Sequence, residues 1–184
     1  MGGVLAAGPQ VMVRPLADAD RAEFVERAAA SAALHRPWLW LPLTAEQFGP
    51  YLARFDEVSA VAYAVCRRDG GEGGGEMVGH VTINHILRAG YQRGVLGYGA
   101  FVPHQGRGHM SEGLGLVLDD AFGRLGLHRL EAEIQPANEP SINLVKRLGF
   151  RKEGLAVGLV RIEDVWRDHE RWAITAETHA AAEV

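Results

Sequence analysis

The feature that most constrains this chain is a glycine turn between a strand and a long helix. A strand-like run ends at Pro103, which has no amide hydrogen to offer a sheet ladder. Gly106 and Gly108 follow, and from Met110 to Leu125 apolar residues recur at the i, i+3, i+4, i+7 spacing of a helix. The first amides of a helix lack internal acceptors, so this arrangement suits an anion such as a phosphate.

The turn does not follow the other common phosphate-binding patterns. A Rossmann turn requires glycine where Ser111 stands and opens an N-terminal βαβ unit, whereas this turn comes after several strands. A P-loop requires a Gly-Lys-Ser/Thr sequence, which does not follow here. On spacing alone, a tight turn with no ligand explains the two glycines as well as an anion site does.

Periodicity and turn residues predict one mixed α/β domain over residues 11–176. The predicted order is strand, two helices, three strands, the long helix, a strand, a short helix and two strands. The end segments, residues 1–10 and 177–184, are predicted to be flexible tails. The glycine-rich stretch 69–75 lies between two strands and predicts a flexible hairpin loop, not a phosphate site.

Residues near the end of the chain give sharper local predictions. Gly126 is predicted to end the long helix. Residues 129–134 alternate as a strand, with leucine, alanine and isoleucine on one face and charged residues on the other. Asn138 is predicted to cap a short helix, which ends with Gly149 and Phe150 in a Schellman motif.

Composition excludes several functional classes. The net charge of −4 and the pI of about 6.1 argue against a nucleic-acid-binding surface. No apolar stretch approaches the ~20 residues of a membrane span, and the N-terminus has no basic region typical of a secretory signal. The cytoplasm is therefore the expected location. Cys66 is the single cysteine, which excludes an intramolecular disulfide and a multi-cysteine metal site, and no metal is predicted.

Several blocks of the chain resemble the GCN5-related N-acetyltransferases (GNAT), and their combination is similar to the RimJ/RimL branch, which acetylates the N-termini of ribosomal proteins. The blocks are residues 97–112, 127–133, 138–141, 146–154 and 166–169. One departure is Pro103, where many family members carry Gln or Arg. The proline leaves the amides of the turn intact and removes one side-chain contact.

The resemblance implies a mixed, mostly antiparallel sheet that splays between its fourth and fifth strands and is flanked by helices. It also implies acetyl-CoA as the cofactor, with the pantetheine in the gap between those strands. The backbone of Phe101 and Val102 would bind the pantetheine and the thioester carbonyl. The remaining residues that would bind the cofactor are Gln105, Gly106, Arg107, Gly108, His109, Met110, Ser111, Asn138, Ser141, Asn143 and Lys146.

The implied reaction is direct attack of an amine on the thioester. Ser141 would lie in the first turn of the short helix, where the helix dipole favours a leaving thiolate that the hydroxyl could protonate. Glu131 and Glu133 share one strand face, and a water-filled cleft would explain these carboxylates better than a closed core. Glu133 is the first candidate for the general base, and a structural ion pair with an arginine is the competing explanation. Other candidate bases are His85, Glu163 and Asp164.

The acceptor is expected to be a primary amine, in the RimJ/RimL-like case a protein or peptide N-terminus. Trp38 and Trp40 would form a wall or lid for the acceptor, or else fill the core. Asn84 and His85 would bind the acceptor amine or its backbone. The alternatives are a small amine, an antibiotic or a lysine as acceptor, a longer acyl group, or a CoA-binding module without catalysis. The sequence does not determine the oligomeric state, and a homodimer is compatible with it.

Overall fold

A computed structural model describes residues 3–70 and 75–182, so most of the glycine-rich stretch, residues 71–74, lies outside the described residues. The predicted α/β architecture is confirmed. The elements in chain order are β1 (Ala6–Ala7), β2 (Val11–Pro15), α1 (Arg21–Ala30), α2 (Ala32–His35), α3 (Ala45–Leu52), β3 (Val61–Arg67), β4 (Met77–Leu87), β5 (Arg93–Ala100), α4 (His109–Phe122), β6 (Arg129–Ile134), α5 (Glu139–Arg147), β7 (Arg151–Ile162), β8 (Val165–Thr175) and α6 (Ala176–Ala182).

The strands of the described chain form one sheet in the order β1-β2-β3-β4-β5-β6-β8-β7. Neighbouring strands are antiparallel, with one exception, because β5 and β6 run parallel. These two strands pair only from Arg93 to Leu96 on β5 and from Arg129 to Ala132 on β6. Beyond those residues each strand continues without the other, so the sheet splays between β5 and β6 as predicted.

The two faces of the sheet are covered by different helices. Helices α4 and α5 pack on one face, where Leu114, Val117 and Leu118 are buried against β2, β3 and β4. Helices α1 and α3 cover the other face with an aromatic cluster centred on Phe24 and Phe48. Helices thus cover both faces of the sheet, and the β5–β6 gap is the place within it where two neighbouring strands leave their edges unpaired.

The short helix α5 follows the prediction closely. The side chain of Asn138 accepts a hydrogen bond from the amide of Ser141, as an N-cap residue does. At the other end the amide of Gly149 donates to Lys146 and the amide of Phe150 donates to Val145, which is the Schellman pattern. Phe150 and Val145 are both buried in the same cluster, so the helix end is also held by apolar contact.

One local prediction was wrong. Helix α4 ends at Phe122 with Gly123 as its C-cap, three residues before Gly126, because the next backbone hydrogen bonds already turn the chain towards β6. Regular structure extends into both end segments, since Ala6–Ala7 pair with β2. Helix Ala176–Ala182 follows β8. No described helix is both long enough and apolar enough to cross a membrane.

Candidate active site

The glycine turn between β5 and α4 has a left-handed backbone at both of its glycines. Gly106 has a φ of 75° and Gly108, the N-cap residue of α4, has a φ of 87°. Residues with a Cβ rarely adopt this left-handed region, so glycine is required at both positions for conformational reasons. Space is not the reason at Gly106, where an added Cβ would meet no atom within 4 Å.

The amides of this turn are free to bind a ligand. None of the amides from Gly106 to Ser111 donates a hydrogen bond to an acceptor in the described chain, whereas Glu112 already donates to the carbonyl of Gly108. Because α4 is a helix of fourteen residues, its dipole adds partial positive charge at the same point. The turn therefore has the free amides and the helix dipole that an anion site requires.

A cavity of about 390 Å³ opens in front of these amides. Two buried histidine nitrogens, the Nδ1 atoms of His104 and His109, have no hydrogen-bond partner in the described chain. Both imidazole rings line the cavity. The cavity is lined by nine of the residues predicted to bind the cofactor: Gln105, Gly106, Gly108, His109, Met110, Ser111, Asn138, Ser141 and Asn143.

The backbone groups that β5 presents to the β5–β6 gap are not the ones that the prediction named. The amide of Phe101 donates to Val78 on β4, so Phe101 faces β4, and by alternation Tyr98 and Ala100 face the gap. The predicted contacts of Phe101 and Val102 with the pantetheine are therefore corrected. Phe101 is buried and turned away. The amide of Val102, beyond the end of β5, donates to the hydroxyl of Ser31.

The side chain of His35 is hydrogen-bonded to the carbonyl group of Ala100, the next backbone group along this edge of β5. Its Nε2 atom lies 2.8 Å from the carbonyl oxygen of Ala100, and burial lowers the pKa of the imidazole. Gly99 lies beneath this contact, and a Cβ at that position would come within 3.1 Å of the same Nε2 atom. The backbone groups of Tyr98 and the amide of Ala100 remain as the open part of the strand edge.

Helix α5 presents a different basic residue to the cavity than the sequence suggested. Pro140, Leu144 and Arg147 line the cavity at the i, i+4, i+7 positions of one helix face. Lys146 lies on another face, with its Nζ atom 5.6 Å from the ring of Trp172. The contact of Lys146 with the cofactor stays a prediction, and Arg147 is the basic residue of α5 that lines the large cavity.

The two glutamates of β6 have different surroundings. Glu131 is buried, and its carboxylate binds Arg93, Arg129 and Arg171 at N–O distances of 2.9 to 3.0 Å. Burial opposes its ionisation, but hydrogen bonds from Arg129 and Arg171 outweigh this and lower the pKa of Glu131. Glu133 makes no ion pair with an arginine in the described chain. It lines a small cavity of about 100 Å³ together with Tyr98 and Ser141.

The tryptophan segment lies at the surface of the gap. Trp38 is half-buried and lines the large and the small cavity, while Trp40 is 67% exposed, so neither residue fills the core. Both line a further cavity of about 540 Å³ that shares His35 and Trp38 with the large one. Glu163 lines this further cavity at the turn between β7 and β8.

Three predicted residues lie away from the cavities. Asp164 is exposed and pairs with Arg161 at 3.0 Å. Asn84 donates its amide to the hydroxyl of Thr82, and His85 is exposed. Strands β4 and β5 are antiparallel, so the end of β4 lies beside the start of β5 and not beside the glycine turn. The predictions that Asn84 and His85 bind the acceptor, and that His85 or Asp164 is the base, are corrected for that reason.

Some residues of the site were missed by sequence reasoning. Tyr98, His35, His104 and Arg147 all line the large cavity. The helical spacing from Pro140 could have identified Arg147, since i, i+4 and i+7 share a face. Tyr98 lies within the block that resembles the family, but no local pattern shows that its hydroxyl reaches α5. The positions of His35 and His104 depend on tertiary packing.

Part of the chain matches a family model. Residues 10–151 match the Acetyltransferase (GNAT) domain. The chain is 41% identical over 98 residues to the probable N-acetyltransferase YjcK of Bacillus subtilis, covering 53% of this chain and 54% of that protein. It is 34% identical over 100 residues to the [ribosomal protein uS5]-alanine N-acetyltransferase of Escherichia coli, covering 54% of this chain and 52% of that protein. The chain thus spans about half the length of the curated relatives it matches.

Solved structures are similar over nearly the whole chain. RimJ of Mycobacterium smegmatis in complex with CoA-disulfide superposes with a TM-score of 0.83 at 25% identity, covering 96% of this chain and 93% of that one. Spermidine N-acetyltransferase of Vibrio cholerae in complex with CoA and spermine superposes with a TM-score of 0.78 at 18% identity, covering 93% and 98%. The family model, which covers more than half of the chain, together with the splayed sheet and the glycine turn, shows that this chain belongs to the GNAT acetyltransferases.

Proposed function

We propose that this protein transfers the acetyl group of acetyl-CoA to the α-amine at the N-terminus of a protein or peptide. One observation carries the proposal. The unpaired amides at the start of α4 face a cavity that also contains Ser141, and Ser141 and Tyr98 in turn line the small cavity that holds Glu133. An anion site, a hydroxyl and an unpaired carboxylate thus follow one another along a continuous cleft.

The cofactor is positioned by the backbone and by Arg147. The amides from Gly106 to Ser111 would bind the pyrophosphate. The open edge of β5 at Tyr98 would pair with the amides of the pantetheine arm. Asn138 can contribute as well as capping α5, because its side-chain amide group is still a free donor.

Acetyl-CoA supplies a thioester carbonyl that an amine can attack. An α-amine has a pKa of about 7.7–8.0, so a weak base such as Glu133, or a water that it holds, is sufficient to remove a proton. Ser141 lies in the first turn of α5, where its hydroxyl and the helix dipole favour charge on the departing sulfur. Burial raises the pKa of Cys66 to about 11, which argues against a cysteine nucleophile.

The acceptor side favours a peptide over a polyamine. The cavity of about 540 Å³ is lined by Trp40, Leu41 and other apolar residues, and its charged residues are Arg36, Arg161 and Glu163. Arg161 is paired with Asp164, and Glu163 is the one carboxylate among the described residues that line the cavity, so a polycation such as spermidine would find a single acidic partner there. An apolar groove beside the reacting carboxylate suits the first side chains of an extended peptide. The names of the RimJ and uS5-alanine N-acetyltransferase relatives support the same class of acceptor.

The test is release of free thiol from acetyl-CoA with a panel of acceptors, followed by mass spectrometry of the products. We expect acetylation at the α-amine of short peptides and no reaction with the same peptides when the N-terminus is blocked and an internal lysine is free. Reaction with spermidine, an amine drug or a lysine side chain alone would assign a different acceptor. Binding of acetyl-CoA without thiol release for every acceptor would favour a module without catalysis.

A further inference from the structure

A tyrosine on β5 contacts the serine that is positioned to assist the leaving group. The hydroxyl oxygen of Tyr98 lies 2.6 Å from the Oγ atom of Ser141, and either atom can donate this hydrogen bond. The contact joins the parted end of β5 to the first turn of α5. The backbone of Ser141 is fixed as well, because its amide donates to the side chain of Asn138.

The surroundings of the two hydroxyl groups select the direction of the bond. Burial raises the pKa of Tyr98 to about 12, so the phenol keeps its hydrogen at neutral pH. In the described chain this hydroxyl has Ser141 as its one hydrogen-bond partner, so its hydrogen goes to Ser141 or stays unpaired at a cost in free energy. Ser141 also lines both cavities and can direct its own hydrogen towards a ligand.

We propose that Tyr98 is a positioning residue that donates its hydroxyl hydrogen to Ser141 and so points the hydroxyl hydrogen of Ser141 into the cavity, towards the sulfur of the leaving thiol. A hydroxyl that accepts one hydrogen bond becomes a stronger donor in the next, because the two bonds polarise each other. Tyr98 would therefore strengthen the contact of Ser141 with the sulfur as negative charge develops there. This inference rests on the proposed acetyl transfer.

The chemistry balances without a change in the protonation of Tyr98. A bond forms between the amine nitrogen and the carbonyl carbon, and the bond from that carbon to sulfur breaks with its electron pair on sulfur. The amine loses one proton to Glu133 or water, and the sulfur gains one from Ser141, which recovers it from solvent. The phenol of Tyr98 keeps its hydrogen and holds Ser141 in orientation throughout.

The kinetic test uses Tyr98→Phe, Ser141→Ala and the double variant. Each single change should lower kcat about tenfold or more while the Kd for acetyl-CoA changes less than about twofold, because the lost hydrogen bond acts on developing charge. The double variant should be no slower than Ser141→Ala, since both residues act through one contact. Tyr91→Phe, which alters a tyrosine that is 68% exposed, is the matched control and should retain wild-type rates.

A second readout does not depend on turnover. The thiol of bound CoA can be titrated through the ultraviolet absorbance of its thiolate. The pKa of this thiol should be lower in the wild-type protein than in Tyr98→Phe or in Ser141→Ala. Melting temperatures of all variants would be measured in parallel.

Each failure has a separate meaning. An active wild type in which Tyr98→Phe keeps full kcat, adds its own loss to that of Ser141→Ala, or leaves the thiol pKa unchanged would overturn the inference and leave the proposed function intact. A wild type that binds CoA but acetylates no amine would overturn the proposed function, and the inference with it. Loss of kcat accompanied by an equal loss of acetyl-CoA binding in Tyr98→Phe would assign the tyrosine a purely structural role and so also contradict the inference.

Discussion

Glu131 and Glu133 are two residues apart on β6 and share a face of the sheet, yet their surroundings differ completely. At Glu131 the strand is still paired with β5, and arginines from β5, β6 and β8 surround the carboxylate. At Glu133 the neighbouring strand has separated, and the carboxylate faces a cavity. The same residue type is thus a structural ion partner at one position and a free group at the next.

The comparison shows that the pairing of β5 with β6, and not the residue type, decides whether a glutamate on β6 is held in an ion pair or faces a cavity. The paired half of the β5–β6 junction is Arg93–Leu96 with Arg129–Ala132, and the parted half is the strand ends beyond them. The paired half of the β5–β6 junction carries a closed network of charges. The parted half carries groups that face the cavities: the open backbone edge at Tyr98, the hydrogen-bonded hydroxyls of Tyr98 and Ser141, the carboxylate of Glu133 and, beyond β5, the amides of the glycine turn. Substitutions in the first half should affect folding, and those in the second half should affect binding or rate.

The largest expected effect is on stability at the paired half. Glu131→Gln removes the charge that offsets three arginines and should lower the free energy of unfolding by about 2–3 kcal/mol. Urea unfolding measures this difference. Glu153→Gln is the matched control, because within the described residues Glu153 pairs with Arg129 alone and is half exposed, and it should cost less than about 1 kcal/mol. Equal losses of unfolding free energy in the two variants would show that Glu131 contributes no more to stability than a half-exposed ion pair does.

The next effect is on rate at the parted half. Glu133→Gln should lower kcat about 100-fold if the carboxylate takes the proton of the amine, and should leave the free energy of unfolding near the wild-type value. Steady-state kinetics and the same urea titration provide both numbers. A destabilised but fully active variant would reverse the roles assigned to the two glutamates.

A smaller effect is expected for cofactor affinity on α5. Arg147→Ala should weaken CoA binding about tenfold, because the guanidinium lines the cavity and can bind a phosphate. Lys146→Ala, one residue away on another face, should change the affinity by no more than about twofold. Calorimetric titration with CoA checks both. A larger loss for Lys146→Ala would restore the assignment that the sequence suggested.

The smallest effect is the pH dependence of stability. The pKa of Glu131 is lowered in the folded protein, so its contribution is present above the ordinary glutamate pKa of about 4.3 and is lost as pH falls through the folded value. Wild-type stability should therefore fall more steeply below about pH 4.5 than that of Glu131→Gln. Thermal unfolding from pH 3 to pH 7 compares the slopes, and parallel curves would show that Glu131 is not coupled to the arginines.

Much of this architecture could be predicted from the sequence, because the signals were local. The bounds of β6, the cap at Asn138 and the ending at Gly149 depend on alternation and on capping chemistry within a few residues. The glycine turn was identified because two glycines stand between a strand that ends at a proline and a helix with clear apolar periodicity. The tertiary partners could not be predicted in this way. Nothing local shows that three arginines meet at Glu131, or that the amide of Val102 is already bound by Ser31.

The central claim is that the parted half of the junction, with the glycine turn at its edge, binds acetyl-CoA. Calorimetric titration of the wild-type protein and of Gly108→Val with acetyl-CoA tests it most directly. The account predicts one-to-one binding by the wild type and none by the variant. A valine is strained at a φ of 87°, and its branched side chain blocks the approach of the phosphate. A wild type that does not bind, or a folded Gly108→Val variant that binds with unchanged affinity, would contradict the account.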